Sequence, residues 1–187
     1  MRVFIAIDVS DSAKRHLERE IERGRAESAD SKWVKSAELH VTLVFIGNVE
    51  EPKGEDILRI MAGVASKHRA MKLSLGEGGS FGASAHPHVL FSTLEGEVER
   101  LNDVQRDLAT ALEGIAPKEA RTFTPHVTLA RSKERRGDVG LAKALTAIRA
   151  APNDPFVVSE LVLYRSDTRP TGATYVRLGN AAFGEAT

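Results

Sequence analysis

The sequence predicts an α+β fold, because strand patterns occur in successive pairs that are separated by single helical patterns. The predicted order is strand, helix, two strands, helix, two strands, helix, strand, helix, two strands. Consecutive strands favour antiparallel neighbours over the parallel sheet of a doubly wound fold. A second observation concerns the strands themselves, since two of them contain the same four residues, His-Val-Thr-Leu.

The first elements are indicated by composition and by capping residues. The segment Arg2 to Asp8, RVFIAID, has the length and the β-branched content of a strand. Ser10 or Asp11 can cap the next helix, whose buried side would include Leu17 and Ile21. A short strand at residues 32–34 leads into the first His-Val-Thr-Leu strand.

The middle of the chain continues with a helix, a strand and a predicted loop. Pro52 suits a first helical turn, and apolar residues follow at helical spacing. A strand over residues 71–75 precedes GEGGSFGASAHP, which predicts a glycine-rich loop, and a second strand covers residues 88–94. The helical stripes are Ile57, Ile60, Met61, Val64 and Ala65, and then Val98, Leu101, Val104, Leu108 and Leu112.

The last third contains the second motif strand, which starts at His126, and a charged loop, SKERRGD. A shorter helix would bury Leu141, Ala144, Leu145 and Ile148. FVVSELVLYRS and ATYVRLG predict a pair of strands across a DTRPTG loop. No change of composition marks a linker between domains.

Composition excludes several classes of site. The 187 residues are 42% hydrophobic and 28% charged, and 26 basic residues balance 26 acidic ones. The net charge therefore does not indicate a nucleic-acid or membrane partner, and a polyanionic substrate would need a local patch. The absence of cysteine excludes disulfides, cysteine nucleophiles and thiolate zinc sites. Because the apolar stretch near Met1 is too short for a signal or a membrane span, we expect a soluble cytoplasmic protein.

The repeated phrase predicts a two-site chemistry. Side chains alternate along a strand, so His40 and Thr42 share one face while Val41, Leu43 and Phe45 point to the other. His126 and Thr128 share a face of the second strand in the same way. Two imidazoles that titrate near neutral pH can supply an acid and a base, and threonine hydroxyls can donate to phosphate oxygens. This set suits phosphodiester cleavage without a metal.

Other interpretations of the same residues remain open. One His-x-Thr is more typical of a cross-strand hydrogen bond than of catalysis, and only the repeat favours chemistry. A metal-dependent hydrolase would use His40, His126 and His88, since His86 and His88 have a spacing found at metal sites. A third possibility is a binding module for RNA ends that has no turnover.

The chain resembles the 2H phosphoesterases, and within them the RNA 2′,3′-cyclic phosphodiesterases, also called 2′-5′ RNA ligases. The similarity includes RVFIAID, LHVTLVFIG, TPHVTLAR and ELVLYRSDTRPTGATYVRL, and so extends over nearly the whole chain. It implies one bilobal domain over residues 1–187, with two mainly antiparallel sheets and flanking helices related by pseudo-two-fold symmetry. The active-site cleft would lie between the lobes.

The resemblance also implies an activity and the role of each motif residue. The reaction would hydrolyse a 2′,3′-cyclic phosphate, on an RNA end or a nucleotide, to a 2′-phosphate with no metal or other cofactor. His40 would protonate the departing 3′ oxygen, His126 would activate water, and Thr42 and Thr128 would hold the phosphate. In reverse, the same site would join RNA ends through a 2′-5′ linkage without ATP. We expect a monomer that does not bind membranes.

Residues outside the two motifs are weaker candidates. The resemblance gives Arg131 a part in binding the phosphate or the adjoining nucleotide, but strict alternation would put it on the face opposite His126. The loop residues Lys133, Arg135 and Arg136 could contact an RNA backbone. Candidates for stacking on a base are Phe81, Phe123, Tyr164 and Phe45, although alternation places Phe45 in the core.

Overall fold

The computed structural model describes residues 1–118, 120–148, 154–169 and 172–185. Within these residues the chain forms nine strands and four α-helices. None of the described helices has the length and apolar character that crossing a membrane requires. In chain order the elements are β1 (Arg2–Asp8), α1 (Asp11–Glu27), β2 (Lys32–Trp33), β3 (His40–Asn48), α2 (Lys53–Ala65), β4 (Met71–Ala83), β5 (His86–Gly96), α3 (Val98–Ala111), β6 (His126–Arg131), α4 (Val139–Ala147), β7 (Phe156–Val158), β8 (Glu160–Arg169) and β9 (Gly172–Ala182).

The strands form two sheets, which confirms the predicted α+β class. Sheet A has the order β3-β1-β8-β9, and sheet B has the order β2-β6-β5-β4-β7. Each pair of neighbouring strands in the described residues is antiparallel. Each sheet with its helices makes up one of the two lobes.

Helices cover one side of each sheet. Helix α2 contacts β8 and β9 of sheet A, whereas α4 contacts β4 and β5 of sheet B. Ser10 caps α1, since its hydroxyl accepts a hydrogen bond from the Ala13 N–H at 3.1 Å, and Leu17 and Ile21 of α1 are buried as predicted. One large cluster of buried side chains includes residues of both sheets. A smaller cluster lies between sheet B and α4 and consists of Leu90, Ala130, Leu141 and Ala144.

The structure corrects three boundaries that the sequence predicts. The glycine-rich segment is not a loop, because β4 continues to Ala83 and pairs with β5 along most of its length. The segment FVVSELVLYRS is not one strand, because it divides at Ser159 into β7 at an edge of sheet B and β8 in sheet A. The predicted DTRPTG loop is shorter, since β8 reaches Arg169 and β9 begins at Gly172; residues 170–171 lie outside the described part.

Candidate functional site

The two His-Val-Thr-Leu strands lie next to each other. Strand β3 is an edge strand of sheet A, β6 lies between β2 and β5 in sheet B, and β3 contacts β6. The faces follow the predicted alternation within each motif. Val41, Leu43, Val127 and Leu129 are buried, and His40, Thr42, His126 and Thr128 are half-buried. The space between the two histidine-bearing faces is called the cleft below.

Each imidazole is oriented by a main-chain carbonyl two residues earlier. Nδ1 of His40 lies 2.7 Å from the Glu38 carbonyl oxygen, and Nδ1 of His126 lies 2.6 Å from the Thr124 carbonyl oxygen. A carbonyl oxygen only accepts hydrogen bonds, so both Nδ1 atoms carry the proton. Nε2 of each neutral ring therefore has the free lone pair. That of His40 is 2.9 Å from Oγ1 of Thr42, which donates to it.

Aromatic rings surround both imidazoles in a matched arrangement. The Phe4 ring is 4.9 Å from His40, and Tyr175 meets His40 edge-on at 5.1 Å. On the other lobe Phe91 is 5.1 Å from His126, and Phe81 meets His126 edge-on at 5.0 Å. The rings restrict the imidazoles and exclude water from their faces.

Burial lowers the pKa of both histidines below the ordinary value. For His40, desolvation is the largest cause and the charges of Arg131 and His126 lower the pKa further, while the Glu38 carbonyl and Asp8 oppose the shift. For His126, desolvation is again the largest cause and Arg131 adds to it, while the Thr124 carbonyl opposes it. Arg131 thus lowers the pKa of both imidazoles.

A β-bulge after each motif threonine changes which side chains reach the cleft. On β6, Thr128 is opposite Phe91 and Ala130 is opposite Leu90, which leaves Leu129 without an opposite residue. The extra residue shifts the alternation, so Arg131, opposite Val89, lies on the same face as His126. Arg131 is thus on the cleft face, where strict alternation would not put it.

The same bulge occurs on β3 and overturns one prediction. Thr42 is opposite Ala6 and Val44 is opposite Ile5, which leaves Leu43 without an opposite residue. Phe45 is consequently opposite Phe4 on the His40 face, half-buried beneath the Arg2 guanidinium at 4.7 Å. The expectation that Phe45 lies in the core was wrong, because it assumed an unbroken alternation.

The remaining candidates are spread around this centre. Phe81 contacts His126, as described above, and the Tyr164 hydroxyl donates to Asp8 at 2.7 Å beside the Phe4 ring. Phe123 packs against the main core. The exposed residues are His86 and His88, at the start of β5, and Lys133, Arg135 and Arg136, in the loop after β6.

Sequence reasoning missed the residues that surround the histidines. Phe4 and Phe91 are on strands that were predicted, but only the pairing of those strands with β3 and β6 brings the rings to the imidazoles. Asp8 pairs directly with His40, and Tyr175 reaches it from β9. The alternation within RVFIAID puts Phe4 and Asp8 on the same face of β1, and this is the single local feature of the sequence that indicates their shared position.

The described residues contain no group of three or more His, Asp or Glu side chains arranged to hold a metal ion.

Comparison with known proteins identifies the family of this chain. The family model described as the 2′-5′ RNA ligase superfamily matches residues 13–170. The RNA 2′,3′-cyclic phosphodiesterase of Geobacillus stearothermophilus is 30% identical over 90% of this chain, and the chain spans about half (53%) of that relative's length. The RNA 2′,3′-cyclic phosphodiesterase of Methanothermobacter thermautotrophicus is 27% identical over 94% of this chain and 95% of its own.

The fold is also similar to that of a solved structure over its whole length. The crystal structure of TT0787 of Thermus thermophilus superposes with a TM-score of 0.83 at 25% identity and covers 100% of both chains. The paired His-x-Thr strands, their shared cleft and the match over residues 13–170 lead to one assignment. The chain belongs to the 2′-5′ RNA ligase superfamily.

Proposed function

We propose that this protein is an RNA 2′,3′-cyclic phosphodiesterase that opens the cyclic phosphate to a 2′-phosphate by two-histidine acid–base catalysis, without a metal. The observation that carries the proposal is the matched pair of imidazoles, each with Nδ1 bonded to a carbonyl and Nε2 left for proton transfer. The names of the curated relatives agree with this reaction.

Each of the two proton transfers uses the Nε2 atom of one histidine. His126 in its neutral form takes a proton from water through Nε2, and the water oxygen forms a new bond to phosphorus. His40 in its protonated form gives a proton to the 3′ oxygen as the bond from phosphorus to that oxygen breaks. The assignment of acid and base follows the family pattern. Asp8, directly opposite His40, supports it because a nearby carboxylate favours the imidazolium.

The phosphate would be held by the polar groups beside the imidazoles. The Thr42 and Thr128 hydroxyls can donate to its non-bridging oxygens, and Arg131 on the same face as His126 adds a positive charge. Protonation of His40 for its acid role removes the Nε2 lone pair that accepts from Thr42, so the Thr42 hydroxyl becomes free to donate to the phosphate.

The first test is hydrolysis of an oligoribonucleotide that ends in a 2′,3′-cyclic phosphate, in the presence of excess EDTA, with the position of the product phosphate determined. We expect a 2′-phosphate at an undiminished rate. Loss of activity with EDTA and recovery with zinc or manganese would replace this proposal with the metal-dependent hydrolase. Tight binding without turnover under both conditions would indicate a binding module for RNA ends.

Substitution of either histidine tests the mechanism. We expect His40→Ala and His126→Ala each to lower kcat by about 10²–10⁴-fold, since each removes one general acid–base group. A matched control is His86→Ala, which removes an exposed imidazole from the same lobe as His126. Near-normal rates for either motif variant would contradict the two-histidine mechanism.

The family name supports 2′-5′ ligation as a second activity of the same site, and we propose that this ligation needs no ATP. With a 5′-hydroxyl oligonucleotide in place of water, His126 would activate that hydroxyl and the remaining steps would be unchanged. We expect a 2′-5′ linked product to accumulate as the concentration of the 5′-hydroxyl strand is increased. Its formation should need both histidines.

Three further predictions accompany the proposed function. The shared core of the two sheets supports one domain over residues 1–187. We also propose a cytoplasmic location and a monomer. Fractionation of cells and light scattering of the purified protein test these two points.

A further inference from the structure

A row of four side chains crosses the cleft face of sheet B next to the motif residues. Arg131 on β6 is directly opposite Lys32 on β2 and Val89 on β5, and Val89 is directly opposite Phe81 on β4. Directly opposite residues of antiparallel strands share a face of the sheet. The row, called the rim row below, therefore consists of Lys32, Arg131, Val89 and Phe81.

The orientation of Lys32 has independent support from its neighbour. Trp33 points to the helical side of the sheet, where its ring packs so closely on Gly24 of α1 that a side chain there would overlap it. Its indole Nε1 donates to the Ser28 carbonyl at 2.7 Å. Since consecutive residues of a strand point to opposite faces, Lys32 faces the cleft.

Lys32 and Arg131 form a pair of like charges, and neither is within salt-bridge distance of a carboxylate in the described residues. Both side chains are exposed. Like charges that lie directly opposite in a sheet destabilise it, and a bound anion would remove that cost. In the proposed function the cyclic phosphate would lie at the two histidines, so the position of Lys32 suits a second anion.

The apolar half of the rim row suits a base. Phe81 and Val89 are half-buried, and the Phe81 ring is 4.4 Å from Phe91. The corresponding row of sheet A has an aromatic ring, Phe45, at the position of Arg131. The cationic pair on sheet B is suited to a phosphate of the substrate backbone.

We propose that Lys32 binds the phosphodiester that joins the terminal nucleotide to its 5′ neighbour, with Arg131 between that phosphate and the cyclic phosphate and with a base lying on Val89 and Phe81. The substrate class is then an oligoribonucleotide with a cyclic-phosphate end, in preference to a mononucleoside cyclic phosphate. This inference rests on the proposed function for the terminal phosphate and adds a second nucleotide to the site.

The test uses the variant Lys32→Gln and the control Lys143→Gln, an identical change at an exposed position of α4 on the opposite side of sheet B. The binding probe is an octaribonucleotide that ends in a 2′-phosphate and carries a 5′ fluorophore, measured by anisotropy at several salt concentrations. We expect Lys32→Gln to weaken binding by about threefold or more and to reduce the slope of log affinity against log salt by about 0.7. Lys143→Gln should change neither quantity.

Turnover supplies the second measurement. The ratio of kcat/KM for the cyclic-phosphate octanucleotide to kcat/KM for a mononucleoside 2′,3′-cyclic phosphate should exceed one in the wild type. It should fall by about threefold or more in Lys32→Gln and stay the same in Lys143→Gln.

The outcomes separate this inference from the proposed function. In one outcome the protein turns over both substrates while Lys32→Gln and Lys143→Gln have equal effects on binding and on the ratio of kcat/KM values. That result would overturn the second-nucleotide site and leave the proposed function intact. Salt-dependent binding that Lys32→Gln weakens, without turnover of either substrate, would support the site and overturn the proposed function.

Discussion

The environment of each motif imidazole determines the pH range in which it can transfer a proton. Burial and the charge of Arg131 lower the pKa of His40 and of His126 in the free protein. Each ring therefore stays neutral to a lower pH than an exposed histidine, whose pKa is about 6.5. An anionic phosphate between the rings acts in the opposite direction and raises both values in the complex.

These pKa shifts predict the pH profiles of the reaction. The bell-shaped profile of kcat/KM, which reports the free enzyme, should centre below about pH 6.5, and the profile of kcat should lie at higher pH. Arg131→Gln should move the kcat/KM profile to higher pH, because the variant loses a charge that lowers both pKa values. Arg19→Gln, on the exposed side of α1, is the control and should leave the profile in place. A kcat profile at lower pH than that of kcat/KM would contradict this account.

At the scale of elements, the glycine-rich strand β4 makes room for the aromatic contacts of His126. A side chain at Gly79 would come within 2.5 Å of the Phe91 ring, which itself contacts His126. Glycine inside a strand often marks such a close approach. Composition alone predicted a loop because glycine disfavours strands, and the packing of Phe91 against β4 is not visible in the sequence.

Gly79→Ala should displace the Phe91 ring and, through it, the His126 imidazole. We expect kcat to fall by up to about 100-fold and the free energy of unfolding to fall by about 1–3 kcal/mol. The matched change Gly63→Ala lies in α2 at an exposed position with no atom within 4 Å of the new methyl group, and should stabilise by about 0.5–1 kcal/mol. Steady-state kinetics and urea unfolding measure both effects. Normal kcat for Gly79→Ala would show that the ring position does not matter to His126.

At the scale of the whole molecule, a polar cluster joins segments that are distant along the chain. Asp138 caps α4 by accepting from the Gly140 N–H at 2.7 Å, and it also accepts from Ser31 at 2.6 Å and Ser28 at 2.9 Å. Both serines are buried at the end of α1 and before β2. The cluster therefore ties the first helix to α4, on the back of the sheet that holds His126.

Asp138→Ala should lower the free energy of unfolding by about 2 kcal/mol, from the lost cap and from two serine hydroxyls left without this acceptor. The hydrogen bonds from Ser31 and Ser28 lower the pKa of the Asp138 carboxyl. Its contribution is thus present above the unfolded pKa of about 3.9 and is lost as the pH falls through the lower folded value.

Urea unfolding at neutral and acid pH measures this contribution. Asp103→Ala removes an exposed carboxylate that pairs with Arg106 on α3 and should cost less than about 1 kcal/mol. An equal decrease in the free energy of unfolding in the two variants would contradict the stabilising role of the Asp138 cluster.

The sequence by itself determined the features that depend on local periodicity. The two-residue period of a strand puts His40 and Thr42 on one face, and it does the same for His126 and Thr128. The helical stripes identify the buried sides of α1 to α4. Ser10 caps α1 because it directly precedes that helix. These features follow from backbone geometry within a few residues, so they can be predicted without knowledge of the fold.

The tertiary structure alone decided which strands are neighbours, where their registers shift and where the chain changes sheet. The bulges at Leu43 and Leu129 turn Phe45 and Arg131 into the cleft, and the break at Ser159 sends β7 and β8 to different sheets. A bulge is a mismatch between two strands, and its position depends on the partner strand, which is remote in the sequence. For the same reason, the pairing of β2 with β6, which brings Lys32 to Arg131, could not be predicted from either strand alone.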